Sequence, residues 1–362
     1  MKKTFLTGLL LASTLLLSMS AAGQRRQIKF EKLGIDHHLE NALITCIFED
    51  SKGFIWFGTF GGLYRFDGQE VVTYSYDPAD PLSIGDNKIT CMAEDSTGNL
   101  WVGAQRGLYH FDREREAFRR FLADPEKENS LSGNVILGLY VDRAGNIWIG
   151  TDQGLDRYDP EEEVFTSFKE TPEDTTTIYG TYAQGFLEDK NGHVWILTEK
   201  GLNRYDASRQ NFSRVVLSNL NEDISPWNQG WDLAMDAKGN FWIANQNGLI
   251  RYSREKNIVK LFNSKTGYDQ LDEGCNSICI DRKGRVWTSG LSETGVIVFD
   301  PGSLSVEKVS TDLNDPTTPK NNVIFSIIED RSGTIWVGTM NGPNKFDPKS
   351  ETFLSYRSNY LS

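Results

Sequence analysis

Histidine, cysteine and methionine are scarce in this 362-residue chain, with four His, four Cys and five Met. No Cys-x-x-Cys or His-x-x-x-His pair occurs, which argues against a structural zinc site. Basic runs are also missing. No basic run after Arg25-Arg26 is longer than a pair, and the formal net charge is −12. Nucleic acid and anionic membrane surfaces need basic patches, so neither is expected as a partner. Long apolar runs are absent after Leu17, so no later segment is expected to span a membrane. The run Thr4–Leu17 follows Lys2 and Lys3 and leads into the small residues of Ser18–Gly23. It is shorter than the roughly 20 residues a span requires. Residues 1–23 therefore read as a signal peptide, leaving 24–362 as an exported chain. No cysteine follows the run, which argues against a lipid anchor.

What the chain does contain is one stretch written seven times. Trp56, Trp101, Trp148, Trp195, Trp242, Trp287 and Trp336 recur at intervals of 45 to 49 residues. An Asp stands six residues before each (Asp50, Asp95, Asp142, Asp189, Asp236, Asp281, Asp330) and a Gly three before. A period in this range with strand-like segments inside it marks a β-propeller or a related array. Asp-x-x-Gly between two apolar runs is a hairpin signal: the carboxylate accepts backbone N–H bonds two residues on, and Gly supplies positive φ. The segment after the turn, such as Phe54-Ile55-Trp56-Phe57, is apolar on both faces and should be buried on both. A second turn ends at Gly62 and its equivalents, and a third strand follows. The fourth segment, such as Val71–Tyr76, alternates as a half-exposed outer strand does. Four strands in each of seven repeats predict an all-β, seven-bladed propeller forming one closed unit.

The pattern Asp-x-x-Gly-x-Ile-Trp-x-Gly-Thr-x-x-Gly-Leu-x-x-Phe-Asp resembles the two-component regulator propeller repeat. Asp142–Asp159 and Asp330–Asp347 are its cleanest copies, and the resemblance runs from about residue 27 to the end. It implies the periplasmic sensor region of a hybrid two-component regulator of the kind found in Bacteroidota. The implied ligand is an oligosaccharide released from a polysaccharide, and the implied partner is a downstream sensor kinase region or a homodimer mate. The streptogramin lyases resemble the chain in architecture, but no His-centred catalytic segment corresponds. No catalytic residue, metal or cofactor is expected.

Two strand-like segments compete for the outer edge of blade seven. Ile28–Leu33 would latch the ring from the N-terminal side, and this is the favoured expectation. Thr352–Tyr356 is the local alternative, with the lower loop-closure cost.

The repeated Asp residues read as turn caps, because calcium needs six to eight oxygens around one ion and each turn offers one acid. The repeated Trp residues read as inter-blade core, with their indole N–H expected on a backbone carbonyl. Cys275 and Cys279 stand four apart on one strand, about 13 Å by strand rise, beyond bridging range. Cys46 and Cys91 hold equivalent positions, ten residues before their Trp, filled elsewhere by Gly138, Gly185, Asp232, Ser277 and Ser326. All four are expected to be free, buried thiols.

Candidate ligand contacts come from what varies. The turn between second and third strands keeps its length, except for two extra residues in the sixth repeat, but changes its chemistry. Its residues include Phe60, Gln105, Arg106, Asp152, Gln153, Glu199, Lys200, Gln246, Asn247, Glu293 and Asn341. Amide and charged groups suit hydroxyl-rich ligands, and the variation reads as unnecessary for folding. Trp227 and Trp231, leading into blade five, are the two Trp residues outside the repeat frame. Either could stack on a sugar ring or plug the channel.

Overall fold

The computed structural model describes residues 39, 41–215, 230–271, 274–290, 294–312, 318–319, 321–347 and 352–355. Seven four-stranded antiparallel sheets follow one another along the chain, each with its strands in sequence order. Blade one consists of Ile44–Glu49, Ile55–Thr59, Leu63–Phe66 and Val71–Tyr74. Blade seven consists of Ile324–Glu329, Ile335–Thr339, Gly342–Asp347 and Thr352–Ser355. First strands of successive blades pack on one another, and the first strands of blades one and seven also meet, which closes a ring around an axis.

The second strand of every blade is buried along its whole length, as its unbroken apolar run requires. Outer strands such as Val71–Tyr74 and Val164–Phe168 are half-exposed. The core divides into seven clusters, one at each junction, and each holds the Trp of one blade against the apolar residues of the next. At the closing junction Trp336 packs edge-on against Phe57 and Phe66 of blade one, with centroids 5.7 and 6.1 Å apart. The glycine two residues after Trp has a packing reason. A Cβ on Gly150 would collide with the Ala183 carbonyl oxygen of blade four, so glycine lets neighbouring blades approach.

Two expectations are corrected. Thr352–Ser355 pairs with Gly342–Asp347 and fills the outer edge of blade seven, so the favoured N-terminal latch is not what occupies it. A hairpin within one blade closes a short loop, whereas a latch must join segments across the whole chain. The segment Ile28–Leu33 lies outside the described residues. Ring closure rests instead on packing and on bonds such as Gly342 N–H to the Ala42 carbonyl at 2.8 Å and Ile47 N–H to Ser326 Oγ at 3.1 Å.

The second correction concerns the tryptophans. Their indole N–H groups donate to the repeat aspartate, at 2.7 to 3.2 Å in all seven blades, and not to a backbone carbonyl. The other carboxylate oxygen accepts the backbone N–H groups two and four residues on, as with Lys52 and Phe54 at Asp50, both at 2.9 Å. One acid thus fixes both the turn and the core aromatic. The turn glycines take φ of 78° to 89°, as the hairpin signal demands.

Candidate functional site

Antiparallel order gives the ring two different ends. The Asp-x-x-Gly turns and the turns from third to outer strands lie on one face. The turns between second and third strands lie on the other, together with the connections from blade to blade. This second end, the connection face, carries every residue named above as a candidate ligand contact that the structure describes. Trp227 and Glu293 lie outside the described residues.

The backbone of these turns is held by the strand before them. Thr59, Thr151, Thr198 and Thr339 each bond through Oγ1 to the glycine carbonyl three residues on, at 2.8 to 3.1 Å. In blade five Asn245 does related work, its Oδ1 accepting the Asn247 N–H at 2.8 Å. The two residues between are left to vary.

They are not all free of structural duty, however. Glu199 accepts the N–H groups of Thr181 and Tyr182 at 2.8 to 3.0 Å and so anchors the connection entering blade four. Lys200 pairs with Glu170 at 2.6 Å. Asp152 accepts the Val135 N–H at 3.3 Å and the Gln153 amide at 3.2 Å. The expectation that variation here is unnecessary for folding therefore fails at these three positions, because the incoming loops differ and each needs its own clasp. Phe60, Gln105, Arg106 and Asn341 are exposed, while Gln246 and Asn247 are half-buried.

Trp231 is half-buried at the start of blade five's first strand, Gly230–Met235. Beside it Asp232 reaches across to blade six, from the position where the other blades carry Cys, Gly or Ser. Its Oδ2 accepts the Ile278 N–H of blade six at 2.9 Å and faces Ser277 Oγ at 3.3 Å. Ser277 and Ser326 repeat the reach, to the Ile327 and Ile47 N–H groups at 3.1 Å each. Burial pushes the Asp232 carboxyl up to about 6, against the hydrogen bonds that favour its charged form.

The opposite end is occupied by structure. Four junctions share a clasp in which Glu, seven residues before Trp, accepts the N–H of the residue after the previous blade's turn Asp. Glu94 takes Ser51 at 2.6 Å, Glu188 takes Arg143 at 2.8 Å, Glu329 takes Arg282 at 3.0 Å and Glu49 takes Arg331 at 2.8 Å. Sequence reading missed these residues, although Glu at that offset in four of seven repeats was a visible signal. Arg113 reinforces the first junction, pairing with Asp50 at 2.7 Å and Glu94 at 3.0 Å. His110 and His193 both bond to turn aspartates, Asp95 at 3.0 Å and Asp189 at 3.2 Å, on this same face.

The four cysteines are free, as expected. Burial pushes Cys46, Cys275 and Cys279 up to about 12 and Cys91 upward as well. Among the described residues no group of three or more His, Cys, Asp or Glu side chains gathers as a metal would require, and no helix is long and apolar enough to cross a membrane.

Comparison with known proteins places the repeat. The two component regulator propeller family model matches residues 38–61, 83–106, 130–153 and 318–341. No curated protein matches by sequence. Among solved structures, the extracellular domain of a chain from B. thetaiotaomicron assigned to a hybrid two component system, BT3049, is 22% identical with a TM-score of 0.72. The match covers 88% of this chain and 41% of that one. The extracellular domain of BT4673 from the same organism, assigned to a one component system, is 20% identical with a TM-score of 0.70, covering 92% and 40%. The chain thus spans about two fifths of either. A catalytically inactive virginiamycin B lyase from Staphylococcus aureus, solved with quinupristin, is 13% identical with a TM-score of 0.64, covering 88% and 99%. At these identities the likeness is one of fold.

Proposed function

We propose, from the premise that this chain is built of two-component regulator propeller repeats, that it is a ligand-sensing propeller of a two-component signalling system. In this reading residues 1–23 direct export, the propeller works in the periplasm, and an oligosaccharide binds on the connection face. Binding shifts the packing of a neighbouring sensor kinase region or of a second protomer. The observation that carries the reading is the division of labour between the two ends. At one end the histidines bond to turn aspartates within their own blades and the glutamate clasps join neighbouring blades, so that end is taken up by structure. The other keeps turns of fixed backbone and changing side chains, the arrangement on which ligand specificity is grafted.

The lyase-like alternative is disfavoured by the histidines. Both described ones are tied to turn aspartates on the end away from the variable residues. A secreted interaction scaffold is the second reading. Its support is that Phe60, Tyr76, Leu82, Leu122, Tyr182 and Met340, all on or beside the connection face, are exposed apolar side chains.

A thermal-shift screen of residues 24–362 against plant, host and microbial oligosaccharides separates these readings. A sensor is stabilised by a particular glycan, and Trp231→Ala then weakens that response. Stabilisation by no glycan, on a cooperatively folded protein, would overturn the sensor reading in favour of a protein partner.

A further inference from the structure

The connection that leads into blade two, residues 75–88, is pinned on blade two's own second turn. Gln105 N–H donates to the Lys88 carbonyl at 3.1 Å, and the Tyr109 hydroxyl donates to the Arg106 carbonyl at 3.1 Å. Arg120 reaches the same carbonyl at 3.2 Å, with its guanidinium 5.9 Å from the Tyr109 ring. Tyr76 N–H bonds to Asn87 at 2.6 Å, and the next residue, Lys88, holds its ammonium 5.8 Å from the exposed ring of Phe60. The Tyr109 hydroxyl lies within electrostatic range of Arg120, Asp86, Arg106 and Tyr76. One sector of the connection face thus gathers three cations and two exposed aromatic rings around Asp86, while Asp77 and Asp80 of the same connection turn their carboxylates to the Ala79 and Leu82 N–H groups. None of the three cations is in an ion pair among the described residues, in a chain whose net charge is −12.

Asp86 is the unusual member. It is 9% exposed, and its Oδ1 accepts the Lys88 N–H at 3.2 Å, closing an Asx turn. That turn requires one acceptor oxygen. Asn321, at the equivalent place in blade seven, supplies it with an amide, its Oδ1 accepting the Val323 N–H at 2.7 Å. Asp86 adds a second oxygen, and Oδ2 is enclosed without a hydrogen-bond partner. A buried acceptor left unpaired is costly, so folding alone gives no reason to prefer the carboxylate over the amide.

We propose that this sector binds the acidic end of a sugar chain, so that the ligand is an acidic rather than a neutral oligosaccharide. The ligand carboxylate meets Arg106 and Lys88, the apolar sugar face lies on Phe60 and Tyr76, and a ring hydroxyl donates to Asp86 Oδ2, which binding must uncover because the atom is enclosed in this structure. Charge-assisted bonds to Arg favour a planar carboxylate over a neutral group, and a hydroxyl supplies the donor that Oδ2 lacks. The inference rests on the sensor reading in taking a glycan as the ligand.

Isothermal titration of residues 24–362 with tri-galacturonate, neutral tri-galactose and the dipeptide Glu-Glu tests it. Two variants borrow what other repeats already carry: Arg106→Gln, after Gln153, and Asp86→Asn, after Asn321. Both should therefore fold, which an unchanged melting temperature would establish. The expected result is binding of tri-galacturonate alone, weakened tenfold or more by Arg106→Gln, severalfold by Asp86→Asn, and by added salt. Equal binding of the acidic and neutral sugars, or wild-type affinity in both variants, overturns the inference and leaves the sensor reading standing. Binding of Glu-Glu as tight as that of tri-galacturonate also overturns it, by showing that a carboxylate suffices without a sugar. Binding of neither sugar overturns the inference, and failure of the full glycan screen overturns the reading beneath it.

Discussion

Arg331 in blade seven donates its backbone N–H to Glu49 Oε2 in blade one at 2.8 Å, across 282 positions of sequence. Its guanidinium also reaches the Ser51 carbonyl at 2.9 Å. The same glutamate bond joins blades three and four through Glu188 and Arg143. The seam between first and last blades is therefore built as an internal junction is built. Glu49→Ala and Glu188→Ala should each lower stability by about 1–2 kcal/mol, the cost of one charge-assisted bond. Urea denaturation of the two variants compares them directly. A loss at Glu49 several times that at Glu188 would mean that the seam is a special weak point.

The carboxylate shared by turn and tryptophan predicts a graded response. Asp142 accepts from Ala144 N–H at 3.0 Å, Asn146 N–H at 2.9 Å and the Trp148 indole at 2.9 Å. Asp142→Ala strands these donors and should cost roughly 2–4 kcal/mol. Asp142→Asn retains one acceptor oxygen and should cost clearly less. Equal losses in calorimetry would mean that the acid serves the fold by charge and not by its two-sided bonding.

Acid should unfold the protein through these same groups. Burial pushes Asp95 up, but bonds from His110, Thr97 and Asn99 outweigh it and bring the carboxyl down to about 2. Bonds likewise outweigh burial in holding Asp50 and Asp236 below the usual range. A folded-state pKa below the unfolded one gives stability that is present above pH ~4 and lost as pH falls toward 2. Denaturation midpoints measured from pH 5 to 2 should fall steeply in the wild type and less so in Asp95→Asn. Parallel profiles would contradict the assignment.

Asp232 has the opposite sign. Its carboxyl is raised to about 6 by burial, so its ionisation opposes folding above that pH, and the cost disappears as pH falls toward 4. Asp232→Ser installs the residue of blades six and seven, which makes the same inter-blade bond without the charge. The variant should melt a few degrees higher at pH 7.5, with the gap closing near pH 4. A lower melting temperature at pH 7.5 would show that the acid stabilises the ring.

The thiols should be inert. With three of them pushed up to about 12, iodoacetamide at pH 8 should label none in the native protein and four after denaturation. Intact mass distinguishes the two states, and rapid native labelling of Cys46 or Cys279 would show the ring to be looser than its packing implies.

The architecture was legible because seven copies average away local ambiguity. A turn at Asp50, a buried strand at Trp56 and a half-exposed strand at Val71 each gain weight from six equivalents. Bond partners were harder to read. Trp and Asp six apart face each other only because the hairpin folds them together, and spacing does not say whether an indole meets carboxylate or carbonyl. Glu199 shows the same limit at the candidate site. Its use as an anchor depends on the loop at Thr181 and Tyr182, which belongs to another part of the repeat. Asp86 was missed because its Asx turn is ordinary, and its spare oxygen is evident only once the enclosure around it is known.

Blade seven completes itself with Thr352–Ser355, so every blade is encoded by one uninterrupted stretch of sequence. Where a blade begins is then a matter of genetics and not of geometry. A circular permutant that joins the ends of the ring and opens it between blades three and four should reach the same tertiary structure. By the same logic whole repeats are exchangeable cassettes, able to move within the ring while each carries its own pair of variable residues to a new place on the connection face.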